Sequence, residues 1–280
     1  MRTEHDLCLL CGVENADKRN SHIIPKFMTK TLLKEADRFR GYQMSTDKVD
    51  RETKYVQSSD AEDHLLCSSC EGYFSLLETI MCNGTHNALW DVRKKDWFEW
   101  QEVDDGSLAT VNRVDGFTFR LFVSSIIWRC GISKSYVASR FFLDTQIEKQ
   151  LRSILVEYKS IKSSELVSKV KGSTISFPFS FSLAAIRDIE EVNGKIVFLH
   201  PSSATEGYFI LNSYILTYSF EDEKGVKELI NSCTSNDTIK ILFVGSNLWN
   251  QLHDKLVVKF GNKALDYLKR EDKEYFGIRR

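Results

Sequence analysis

Seven cysteines stand at positions 8, 11, 67, 70, 82, 130 and 233. Four of them form two C-x-x-C pairs, Cys8-Leu9-Leu10-Cys11 and Cys67-Ser68-Ser69-Cys70, separated by 55 residues. Each pair bites one ion through a tight turn, and four thiolates complete a closed tetrahedron, which is the chemistry of a structural zinc site. A site of this kind has no position left for water, so its metal holds a fold rather than catalysing. Gly12, just past the first pair, suits the positive φ that such a metal knuckle demands. The competing use of C-x-x-C is redox, and it normally takes a single pair. Cys82, Cys130 and Cys233 lie among apolar neighbours and read as small buried hydrophobes.

Elements must bring the two pairs together. Residues 26–40, following Pro25, read as a helix with Phe27, Thr31 or Leu32, Ala36 and Phe39 on one stripe. Residues 53–57 carry one strand signal. The spacing of Phe74, Leu77 and Met81 predicts a helix over 70–80 that begins on the second pair. Asp104-Asp105-Gly106 marks a turn. Residues 115–130 read as a buried helix. Residues 144–159 read as an amphipathic one, with Ile147, Leu151, Leu155 and Tyr158 on its stripe and Thr145 with Glu148 as a capping box. After residue 174 the chain turns strand-like. Ile175, Phe177, Phe179, Phe181 and Leu183 alternate, and β-branched or aromatic runs follow at 195–200, 208–220 and 238–244. A basic amphipathic helix is expected at 263–273.

Between the pairs stands Ser21-His22-Ile23-Ile24-Pro25, and the second pair runs on as Leu65-Leu66-Cys67-Ser68-Ser69-Cys70-Glu71. The order C-x-x-C, H-I-x-P, L-C-x-x-C resembles the four-cysteine subset of HNH (ββα-metal, treble-clef) endonucleases. It is also similar to bacterial proteins carrying S-H-I-I-P and L-L-C-x-x-C-E that are labelled HNH-like and associated with phage defence. Ser125-Ile-Ile-Trp-Arg129 is a fainter echo of the same set. The likeness covers residues 8–80. It implies a treble-clef zinc module at residues 1–82, held by Cys8, Cys11, Cys67 and Cys70. An α+β domain of mixed helices and antiparallel sheet, residues 83–280, follows with a regulatory, targeting or partner-binding role.

The resemblance also implies catalysis. His22 falls where the family places the general base that activates water, and Glu71 where it places a ligand for a Mg²⁺ or Mn²⁺ ion on the scissile phosphate. Glu78, Glu62 and Asp63 are the candidates for a further carboxylate, and oxygen donors suit a hard cation. This chain has Ser21 where the family has Asp or His, and the family's middle Asn falls near Glu62 or His64. For His22 the alternative is a hydrogen-bonded structural histidine. For Glu71 and Glu78 it is solvated helix carboxylates. His64 is expected at the surface, since four thiolates already satisfy zinc.

Charge and composition bound the rest. Lys+Arg 38 against Asp+Glu 39 gives a net charge of -1, so no generic electrostatic coat for nucleic acid exists. A local one does: residues 18–54 hold ten Lys or Arg against five Asp or Glu. Lys18, Arg19, Lys26 and Lys30 are the candidate contacts to phosphates, against the alternative of a solvated face. The 42% hydrophobic and 28% charged composition is that of a globular protein. The most apolar run, Leu121 to Trp128, is too short to span a bilayer. No export signal opens the chain, and the expectation is a cytoplasmic protein without membrane contact. Two functions follow: a metal-dependent HNH-type nuclease, acting on DNA before RNA with nucleic acid and a regulatory protein or trigger as partners, or a catalytically inactive, zinc-stabilised interaction or sensor protein.

Overall fold

Alternation of side chains along the late strands gives the sheet two apolar faces, and each meets a different layer. In this computed structural model the described residues are 2–28, 34–35, 38–39, 41–43, 54–56, 60–89, 91–104, 106–134, 143–171, 173–175, 177, 179–186, 197–201, 206–211, 214–220 and 238–253. Short strands come first: β1 (Ser21–His22), β2 (Lys34–Glu35), β3 (Arg38–Phe39), β4 (Gly41–Gln43), β5 (Lys54–Val56) and β6 (Ala61–Glu62). They pair antiparallel as β1 with β6, β2 with β3 and β4 with β5.

Helix α1 (Ser68–Met81) runs on through a π-helical turn at Cys82–His86. The hairpin β7 (Phe98–Val103) and β8 (Gly106–Val111) precedes helices α2 (Gly116–Ile132), α3 (Thr145–Glu157) and α4 (Ser163–Val170). Strands β9 (Ser180–Ile186), β10 (Val197–Pro201), β11 (Glu206–Leu211), β12 (Tyr214–Ser219) and β13 (Ile239–Val244) follow, then α5 (Ser246–His253).

Seven strands form one sheet in the order β10-β11-β12-β9-β13-β8-β7. Every neighbour pair is antiparallel except β9 with β13. Phe181, Leu183 and Ala185 of β9, Leu216 of β12 and Ile241 of β13 share the large core with α1, α2 and α3. Their alternates Ala184, Ile186, Ile215 and Val244 pack instead with Trp249 of α5. Helix α2 is buried on all sides, with fourteen of its seventeen residues inside, because it lies between the sheet and the pair α1 and α3. A helix apolar all round has nowhere else to go. Trp128, Leu151 and Leu155 are fully buried, and Ile147 packs partly buried against the same core. Among the described residues no helix is long and apolar enough to cross a membrane.

Two expectations are corrected. A continuous helix over 26–40 is overturned: among the described residues of that span only 26–28 are helical, and Lys34 pairs with Phe39 and Glu35 with Arg38 in a small hairpin. Four stripe positions, one of them a Thr or Leu, are a weak helical signal, and Asp37 disfavours a helix interior. The strand-like run 208–220 resolves into two paired strands, β11 and β12. The cap of α3 is Asp144, whose Oδ1 accepts from the backbone N–H of Gln146 and Ile147 at 2.8 and 3.3 Å. Glu148 is freed from the box and accepts from Trp128 Nε1 at 2.8 Å. The helix expected at 263–273, Lys30 and Cys233 lie outside the described residues.

Candidate metal centre

The first pair is held in a tight turn. Cys8 N–H donates to Glu14 O at 2.8 Å and Gly12 N–H to Cys8 O at 2.9 Å, and Leu7 bridges Asn15. Gly12 sits at φ +67, a region that an L side chain adopts only under strain. The second pair opens α1: Cys67 is its N-cap and Cys70 lies in the first turn. Asp17 secures that end, its Oδ1 accepting from Ser68 N–H at 2.7 Å and its Oδ2 from Ser68 Oγ at 2.6 Å. Leu9 N–H reaches Leu65 O at 2.9 Å, which ties the two turns to each other.

The four thiol sulfurs consequently lie within 4.8 Å of one another, and Cys11 and Cys67 are 3.9 Å apart. Four sulfurs at about 2.3 Å around a tetrahedral zinc stand roughly 3.8 Å apart, so the residues present fit the ion. Without a cation four thiols this close cannot all ionise. Cys8, bonded to the Cys70 thiol and then to backbone N–H groups, is pushed down to about 4. Cys67 is pushed up to about 12, by burial and then by its bond to Glu14. Cys70 is raised by its bond to Cys8 and by burial. Zn²⁺ would replace those shared protons with one divalent charge.

Helix α3 closes over this centre. Arg152 Nε donates to Leu10 O, between the first two ligands, at 2.8 Å. Lys159 Nζ lies 3.9 Å from Glu14 Oε1. Burial alone would lower the Lys159 ammonium, but Cys70, Cys67, Glu14 and Cys11 together hold it above the usual lysine range. Arg152 of α3 and Lys159, two residues past its end, would thus offset the net charge of about −2 on a zinc with four thiolates.

Strand β1 enters beside the centre, because Lys18 N–H bonds Leu66 O at 3.2 Å and His64 N–H bonds Lys18 O at 2.7 Å. Asn20 and His64 flank β1 and β6 at φ 56 and 59. Ser21, 1% exposed, donates from Oγ to Glu71 Oε2 at 2.9 Å. His22 is half-buried, and alternation turns its side chain to the face of the strand opposite Ser21. Its backbone carbonyl accepts from Arg129 Nη1 at 2.7 Å. The other carboxylates are engaged. Glu78 Oε1 pairs with Arg129 Nη1 at 2.8 Å, Asp63 accepts from Asn20 N–H at 2.8 Å, and Glu62 accepts from Ser133 Oγ and Lys134 N–H, each at 2.8 Å. Lys18 is half-buried, whereas Arg19 and Lys26 are exposed at the two ends of β1.

His64 is corrected from a surface position: it is 8% exposed, its Nδ1 is 2.8 Å from Ala16 O, and Arg2 Nε donates to its carbonyl at 2.7 Å. Sequence reasoning missed Arg152 and Lys159, and it noted Arg129 only as the end of the Ser125-Ile-Ile-Trp-Arg129 echo and of an apolar run, without its contact to His22. Among the described residues, the four cysteines are the only group of three or more His, Cys, Asp or Glu close enough to hold a metal. Compared with known protein families, with curated proteins and with solved structures, the chain matches none of them.

Proposed function

We propose that the N-terminal module is an HNH-like treble clef and that the protein is a metal-dependent endonuclease acting on nucleic acid, DNA before RNA, in the manner of the phage-defence proteins its motifs resemble. The observation that carries this reading is the 2.9 Å contact between Ser21 Oγ and Glu71 Oε2. It joins the residue before His22 to the residue after the last cysteine, the two positions at which the resembled family places its cation ligands. In this reading His22 takes the proton from a water that attacks phosphorus. The P–O bond to the leaving oxygen breaks as the new one forms, and solvent protonates the leaving oxygen. Glu71 would hold a Mg²⁺ or Mn²⁺ ion supplying charge stabilisation at the phosphate, with water completing most of its shell. Arg19 and Lys26 would receive flanking phosphates.

The test is cleavage of plasmid DNA and of RNA by wild type, His22→Ala and Glu71→Gln, with and without added Mg²⁺ or Mn²⁺. Cation-dependent cleavage that falls by about 10²–10⁴-fold in His22→Ala is expected. Equal rates in wild type and His22→Ala would refute it. A second reading, a zinc-stabilised interaction or sensor protein without catalysis, is favoured by two observations. The His22 side chain turns to the strand face opposite the Ser21–Glu71 contact, and Glu62, Asp63 and Glu78 serve other partners, so among the described residues Glu71 is joined by a buried serine rather than a second carboxylate. Absence of cleavage on either substrate would select it.

A further inference from the structure

We infer that Arg129 is a positioning residue for His22, and that through it helix α2 sets the geometry of the β1 strand. The inference deepens the nuclease reading, which alone gives His22 a chemical task. Arg129 is a charge in the middle of the core, with its side chain 3% exposed. A buried guanidinium is tolerated only where its donors are spent, and here they are spent across three elements. Nη1 donates to His22 O of β1 at 2.7 Å and faces Glu78 Oε1 of α1 at 2.8 Å. Nε donates to Ser125 O of α2 at 3.2 Å, and the cation lies 5.2 Å from the centre of the Phe74 ring.

The peptide group between His22 and Ile23 is therefore held from both sides. Its carbonyl takes Arg129, while its N–H donates to Asp60 O at 3.1 Å. Ile23 itself is 0% exposed, so water cannot readily replace the arginine. The end of the same helix grips the partner strand, since Ser133 and Lys134 both donate to Glu62 of β6. Nothing in the metal centre supplies these contacts. The zinc turns fix where β1 begins, and α2 fixes how the His22 backbone is oriented.

The experiment uses the full chain, loaded with zinc. Arg129→Met is the simple variant. Because it strands Glu78, Arg129→Met combined with Glu78→Met removes both charges and keeps the core apolar, so the fold survives. Amide hydrogen exchange of Ile23 and the ring resonances of His22 are read by NMR. In the double variant, exchange at Ile23 is expected to accelerate at least about tenfold relative to amides of α3, with the His22 ring resonances displaced. Zinc content should be unchanged, and Arg129→Lys with Glu78 kept should recover part of both effects. Exchange at Ile23 within about twofold of wild type, or uniform acceleration across α1, α2 and α3 with the His22 ring unmoved, would overturn the inference. These readouts need no catalysis. A wild type that cleaves nothing would remove the nuclease reading and leave this test intact.

Discussion

Gly12→Ala tests how the metal turn is built. Gly12 holds φ +67, and an added Cβ would lie 2.9 Å from Arg152 Nη2. The left-handed backbone costs an alanine about 1–2 kcal/mol. The guanidinium end is flexible and can move, but its Nε bond to Leu10 O at 2.8 Å must then loosen, at about 1 kcal/mol. Alanine also narrows the unfolded ensemble, which returns about 0.4–1 kcal/mol. The net loss is about 1–2 kcal/mol, and because metal binding at a four-thiolate site of this kind is coupled to folding, zinc should bind about five- to thirtyfold more weakly. Competition against a chromophoric chelator at neutral pH measures this. Repeating it in an Arg152→Ala background should leave only the backbone share, a coupling of about 1 kcal/mol. A Gly12→Ala protein that binds zinc as tightly as wild type would refute the reasoning.

Two further perturbations follow from the core. Glu78→Ala removes the carboxylate facing the buried Arg129 and should cost about 2–4 kcal/mol in denaturant unfolding, short of the full penalty because Glu78 is 22% exposed and water can enter. His86 packs against Phe27 and its Nδ1 lies 3.0 Å from Tyr214 Oη, and burial holds its imidazole below the ordinary 6.5. The unfolded chain then binds the proton first, so the contribution of His86 is complete above about pH 6.5 and is lost as the pH falls below it. Thermal unfolding should show that decline between neutral and mildly acid pH, and His86→Phe should flatten it.

The metal centre was legible because ligand chemistry is local: two residues between cysteines fix the bite, whatever lies between the pairs. Helices α1 and α3 were legible from apolar stripes at helical spacing, and α2 from an apolar run long enough to be a buried helix. The segment after Pro25 was not, since a short stripe in polar sequence does not separate a helix from a pair of small hairpins. The sheet order escaped for a different reason. Placing β13 between β9 and β8 depends on pairings across more than fifty residues, which no local pattern encodes. The same holds for the candidate site. Arg129 meets the His22 carbonyl from 107 positions away, and His64 is interior because its imidazole bonds Ala16 O, a partner its composition does not announce.

The zinc-module reading of the N-terminal residues depends on one claim, that Cys8, Cys11, Cys67 and Cys70 hold a single metal ion. Elemental analysis of protein purified without chelator, paired with Cys67→Ser, tests it most directly. One zinc per chain is expected in the wild type. Cys67→Ser should lose that zinc together with native packing in residues 2–28 and 60–81, since binding worth about 10 kcal/mol is part of the folding free energy of such sites. A wild type that is folded and holds no zinc, or a Cys67→Ser protein that keeps one zinc per chain, would contradict it.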